Sequence, residues 1–105
     1  MTHSNVETVL FRVKPGISSH QIETSNDSVN QWLKSQDGFI YRSLSHDPQK
    51  DMWIDTVYWR NGEDARKAGD AFMTASETAE YMGMIDEGSV TIYHSDIHVD
   101  LPYCD

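Results

Sequence analysis

Apolar and polar positions alternate from Val6 to Lys14. Glu7, Val9, Phe11 and Val13 form one set, and Val6, Thr8, Leu10 and Arg12 form the other. A period of two with Val, Thr and Phe predicts a strand covered on both faces, stopped by Pro15-Gly16. The period then lengthens. Ser18 and Gln21 match a capping box, Ile17 can staple to Ile22, and Ile22, Val29 and Leu33 share a helical face with Trp32 at its margin. Ser25 and Asn26 leave a polar gap in that stripe, and Gly38 suits the helix end. Phe39 to Ser45 and Met52 to Trp59 read as a strand pair joined by the turn Asp47 to Asp51. Asn61 caps a second helix with Glu63 and Asp64 in its first turn and Ala65, Ala68, Phe72 and Ala75 at helical spacing. A short helical segment from Glu77 to Met84 and a last strand from Val90 to Ile97 follow, with Gly88 between them.

The element order is β-α-β-β-α-β over residues 1 to 105, read as one domain. This α+β order is the ferredoxin-like split βαβ plan, a four-stranded antiparallel sheet with both helices on one face. Val6, Leu10 and one aromatic set from the middle hairpin then lie on the other face. A second copy of that face is its simplest cover, so the pattern predicts a homodimer with sheets packed together.

Charge narrows the partners. Seventeen acidic against eight basic residues give a formal net charge of −9. That argues against nucleic acid and against an anionic membrane surface. No stretch is long and apolar enough to span a membrane, and the N-terminus lacks a signal-peptide pattern. The single cysteine, Cys104, fits a reducing cytoplasm and excludes an intrachain disulfide.

Little in the chain announces chemistry. His94 and His98 share a strand face but lie roughly 13 Å apart along it, too far for one ion. No metal site is expected. No nucleophile elbow or phosphate loop occurs. His94 continues the apolar set of Val90 and Ile92, as a polar tip at a pocket or a paired histidine at the dimer seam. Tyr41, Tyr58 and Tyr93 read as core or seam packing. The bulky cluster Phe72, Met73, Tyr81, Met82, Met84 and Ile85 lies beyond the small-residue stripe of Ala65 and Ala68. It can hold open an apolar pocket lined by Val9, Phe11, Phe72, Met73, Tyr81, Met82 and Ile85, with Asn26 or His94 as its polar group. A filled core without a cavity is the alternative.

Lys14-Pro15-Gly16, Trp32-Leu33, Gly38-Phe39, Tyr58-Trp59 and the alanine-rich helix from Ala65 to Phe72 together resemble the dimeric α/β-barrel superfamily, within it the antibiotic-biosynthesis-monooxygenase-like group. The resemblance covers about residues 5 to 97 and consists of packing motifs, which carry fold rather than reaction. It implies a pocket in each subunit between sheet and helices. Haem-degrading members use an Asn in the first strand, a Trp in the second helix and a His after it. Those positions here hold Val9, Ala68 and Thr78 or a neighbour, which speaks against haem degradation. Three readings stay open. One is a cofactor-free binder of a lipophilic molecule, fatty-acid-like or flat and aromatic. The second is a cofactor-independent monooxygenase acting on an aromatic or quinol, with His94 and Asn26 as candidate catalytic residues. The third is a dimeric scaffold without a ligand.

Overall fold

The structure, a computed structural model, describes residues 3–101. Cys104 lies outside the described residues. The chain runs β1 (Asn5–Phe11), α1 (Ser19–Lys34), β2 (Phe39–Asp47), β3 (Met52–Trp59), α2 (Gly62–Phe72), α3 (Ala79–Gly83) and β4 (Thr91–Asp96), with 3-10 turns at Ser76–Thr78 and Glu87–Ser89. The strands form one antiparallel sheet in the order β2-β3-β1-β4. This is the ferredoxin-like α+β arrangement that the pattern of the sequence predicts.

The helix ends follow local chemistry. Ser18 accepts from the Gln21 backbone N–H at 3.1 Å, and the Gln21 side chain accepts from the Ser18 N–H at 2.8 Å, completing the capping box. Asn61 Oδ1 accepts from the Asp64 N–H at 2.8 Å and starts α2. Gly38 does not end α1, whose cap is Ser35. Its φ of +78° instead turns the chain into β2 directly against α2, where a Cβ would run into the Asp64 carboxylate.

Strand β1 is shorter than the alternation implies. Beyond Phe11 the chain leaves the sheet and pairs with residues 84–86: Lys14 N–H donates to Met84 O and Asp86 N–H to Arg12 O, each at 2.9 Å. Val13 and Ile85 form a bridge there. Helix α2 likewise stops at Phe72, so Ala75 lies outside it.

Alternation along β3 sorts the two faces of the sheet. Trp53, Asp55, Val57 and Trp59 are buried beneath the helices, and Met52, Ile54, Thr56 and Tyr58 point the other way. The core packs Phe11, Ile22, Val29, Leu33 and Trp59 between sheet and helices. Trp59 is 1% exposed and meets the Phe39 ring edge-on at 5.9 Å, so it anchors the strand end to the core. Among the described residues no helix crosses the opposite face. There the register joins Tyr41 to Tyr58, Tyr58 to Val6, and Tyr93 to Thr8, with Tyr41 and Tyr93 left 56% and 58% exposed.

Candidate functional site

Helix α2 lies over β1 and β3 rather than over β4, which is exposed along its whole length. The space between α2, α3 and the β1–β4 side of the sheet is a cleft of about 430 Å³. Its wall is mostly apolar, with Val9, Trp32, Leu33, Val57, Ala68, Phe72, Tyr81, Met82 and Ile85 among the lining residues. Met73, Val90 and Ile92, all substantially exposed, stand at its mouth. Small residues on α2, Ala68 and Gly69, keep this volume open where a larger side chain would occupy it.

A buried polar network forms one end. Arg42 on β2 grips Asp55 on β3 with two parallel hydrogen bonds, Nε to Oδ1 at 3.0 Å and Nη2 to Oδ2 at 2.7 Å. Both side chains are nearly inaccessible, at 5% and 8% exposure. Arg42 Nη1 donates to Asn26 Oδ1 at 2.6 Å and Asn30 Oδ1 at 3.0 Å, and the Tyr81 hydroxyl donates to Asp55 Oδ2 at 2.8 Å. The guanidinium carbon also sits 5.4 Å from the Tyr81 ring centre, within cation–π range. Burial pulls the Arg42 pKa down, but the hydrogen bonds and charge of Asp55 outweigh it and the net shift is upward. Burial, then the Asp55 charge, push the Tyr81 phenol well above its usual range. Tyr81 is therefore a donor in this network and stays protonated.

Glu7 on β1 is the second polar feature. Its side chain is only 17% exposed and lines the cleft. Gly69 of α2 lies above it; a Cβ there would stand 3.7 Å from Glu7 Oε2. His94, opposite Glu7 in the β1–β4 register, brings Nε2 to 3.9 Å from Oε2. Burial raises the Glu7 pKa, the His94 charge opposes this, and the Asp55 charge adds to it. The buried Trp59 Nε1–H makes no full-strength hydrogen bond but leans on this carboxyl as a weak donor and lowers its pKa somewhat, as does the Arg42 charge.

Of the residues singled out in the sequence, Val9, Phe72, Met73, Tyr81, Met82 and Ile85 come together around the cleft. Phe11, Asn26 and His94 are not in its lining. Phe11 is fully buried, 5.8 Å from Tyr81 in an edge-to-face pair. Asn26 is spoken for on both sides of its amide, with Nδ2 donating to Ile22 O at 2.7 Å and Oδ1 accepting from Arg42. His94 lies on the helix-facing side of the sheet, behind Glu7 and away from the open face. His98 leaves the strand and stacks on His3 at 4.8 Å. Among the described residues no group of three or more His, Cys, Asp or Glu is placed to hold a metal ion, and no helix is long and apolar enough to cross a membrane.

Glu7, Arg42 and Asp55 were not among the expected site residues. Their signal lies in the alternation itself. Glu7 shares a face with Val9, Phe11 and Val13, and Asp55 sits between Trp53 and Val57 on the face that ends in Trp59. A charge in a covered set needs a partner or a role.

No family profile matches the sequence, and no curated protein matches it. Solved structures do. An asparagine-to-alanine variant of SnoaB, a cofactor-independent oxygenase from Streptomyces nogalater, superposes with a TM-score of 0.76 at 14% identity, over 96% of this chain and 99% of that one. A protein from Bordetella bronchiseptica, provisionally assigned as an antibiotic biosynthesis monooxygenase, gives 0.72 at 13% identity, over 92% and 99% of the two chains. A conserved protein from Methanosarcina mazei Go1 gives 0.67 at 11% identity, over 90% and 93%. At such identities the likeness is one of fold, and the chain carries the ferredoxin-like fold that these antibiotic-biosynthesis-monooxygenase-like structures share.

Proposed function

We propose that this protein is a homodimer that binds an apolar small molecule, flat and aromatic or fatty-acid-like, in the cleft between α2, α3 and the sheet. The observation that carries this reading is the cleft itself: about 430 Å³, walled by aromatic, methionine and aliphatic side chains, with a few buried polar groups at fixed positions. Ligand sites commonly have that size and make-up. Methionines at 73 and 82 adapt to irregular shapes. Native mass spectrometry and solvent extraction of the purified protein test it. A co-purified apolar molecule is expected; an empty protein that also fails to take up added aromatics would refute it.

The dimer is supported by the open sheet face, where, among the described residues, Val6, Leu10, Ile54, Tyr41, Tyr58 and Tyr93 have no helix above them. A second copy would cover it. A single free cysteine in the sequence fits a cytoplasmic setting.

A second reading, cofactor-independent monooxygenation of an aromatic or quinol, is favoured by one observation. Glu7 is a cleft carboxyl with a raised pKa, and acid–base groups at active sites are tuned in this way. SnoaB, with which the chain shares its fold, is a cofactor-independent oxygenase. Oxygen uptake with quinols or anthrones, lost on Glu7→Gln, would establish turnover; binding without uptake would leave the first reading.

A further inference from the structure

The charges of the cleft do not balance. Among the described residues its lining holds three carboxylates, Glu7, Asp55 and Glu87, and one cation, Arg42. Arg42 is committed: Nε and Nη2 donate to Asp55, and Nη1 donates to Asn26 and Asn30. The Arg42–Asp55 pair cancels. Partly buried Glu7 and exposed Glu87 then have no matching cation in the lining. Trp59 Nε1 donates weakly to Glu7 and His94 Nε2 stands 3.9 Å away, but neither residue lines the cleft, and His94 offsets the charge only when protonated. The apolar wall keeps the field of Glu7 from being screened as it would be in open water. The rings of the cleft favour the same sign of ligand. Trp32 and Tyr81 each meet Phe72 nearly at right angles, 81° and 78°, with centroids 5.6 and 6.3 Å apart, so the three form corners rather than a flat stack. All three line the cleft. Aromatic faces carry partial negative charge and attract cations. Arg42 already uses Tyr81 in this way, its guanidinium carbon 5.4 Å from the ring centre.

We propose that the ligand of this cleft is a cation, a flat aromatic body carrying a primary ammonium, with Glu7 as its counter-charge. The inference rests on the reading of the cleft as an apolar binding site, and narrows it. A fatty acid or other carboxylate would meet Glu7 and Glu87 with no open cation to receive it, and like charges set against each other cost affinity. An ionised carboxylate accepts about four hydrogen bonds, so the weak donation from Trp59 leaves Glu7 able to take an ammonium N–H. Gly69 on α2 lies above the carboxylate, where a Cβ would stand 3.7 Å from Oε2; the bare backbone leaves that approach clear. The aromatic body then lies among Trp32, Phe72 and Tyr81, and no bond is made or broken.

Calorimetric titration near neutral pH with 2-naphthylmethylamine, 2-naphthylmethanol and 2-naphthoate tests this, since the three present an ammonium, a hydroxyl and a carboxylate on one ring system. Wild type should bind the amine about tenfold more tightly than the alcohol, the worth of one charge-assisted hydrogen bond, and the naphthoate most weakly. Glu7→Gln keeps the side-chain shape and removes the charge, so it should bring the amine-to-alcohol affinity ratio towards one. Glu87→Gln, at an exposed acid, should lower that ratio less. The ranking of the three probes on wild type is decisive even where Glu7→Gln does not fold. An alcohol or naphthoate bound as tightly as the amine overturns the proposal and leaves the binding site standing. An amine preference that survives Glu7→Gln unchanged overturns it as well. Failure of wild type to bind any of the three overturns the site and the proposal together.

Discussion

Tyr81 donates a 2.8 Å hydrogen bond to Asp55 Oδ2, so a short helix is tied to the middle of the sheet through a charged group 26 residues earlier in the chain. The bond closes one end of the cleft. It also makes Asp55 serve two partners, since the same oxygen receives Arg42 Nη2 at 2.7 Å.

Removing Asp55 should be severe. Asp55→Ala leaves the Arg42 guanidinium buried without its counter-charge, which typically costs about 3–5 kcal/mol. Arg42→Met combined with Asp55→Leu should cost less than Asp55→Ala alone, because no charge is then stranded. Tyr81→Phe should cost about 1.5–3 kcal/mol, the worth of a hydrogen bond to a charged group. Urea denaturation midpoints read all three.

Glu7 should act on stability in the opposite sense to a salt-bridged acid. Its folded pKa lies above its unfolded value, so the folded state holds the proton more tightly. Its contribution is fully present below the unfolded carboxylate pKa and is lost as pH rises through the raised folded value. Glu7→Gln should match wild type at acid pH and be the more stable of the two near neutrality. Thermal unfolding of both proteins across that range shows whether the difference grows with pH.

Two glycines with positive φ should respond differently to alanine. Gly38→Ala combines a left-handed backbone with a collision against Asp64, and should cost more than the ~1–3 kcal/mol of such strain alone. Gly16, at φ +87°, faces open space, so Gly16→Ala should stay within that strain. Denaturation midpoints of the two variants compare them directly.

The open sheet face predicts association. Ile54→Lys or Tyr58→Lys places a charge on the face that a second copy would cover, and should shift the protein from dimer to monomer in sedimentation velocity. A wild type already monomeric at the same concentration would remove the dimer from the account.

The order and faces of the elements were legible because strand alternation and helix caps are local: Ser18 with Gln21 and Asn61 with Asp64 act within one turn. Element ends were less so. Phe11 rather than Lys14 closes β1 because the chain there pairs with residues 84–86, a distant segment that no nearby pattern announces. The apolar half of the cleft could be read from the bulky run after Ala68. Its polar half could not, because Asn26 reads as a free amide until Arg42 arrives from another strand. Asp55 and Glu7 become informative only once their strand faces are known to be the covered ones.

The central claim, that an aromatic ligand occupies the cleft, is tested most directly by methionine-methyl NMR during titration with 2-naphthol. Met73 and Met82 line the cleft, whereas Met52 lies on β3 with its side chain toward the opposite face. The account predicts saturable shifts at Met73 and Met82 with Met52 unmoved. Shifts at Met52 alone, or none at any methionine up to the solubility limit of the naphthol, would contradict it.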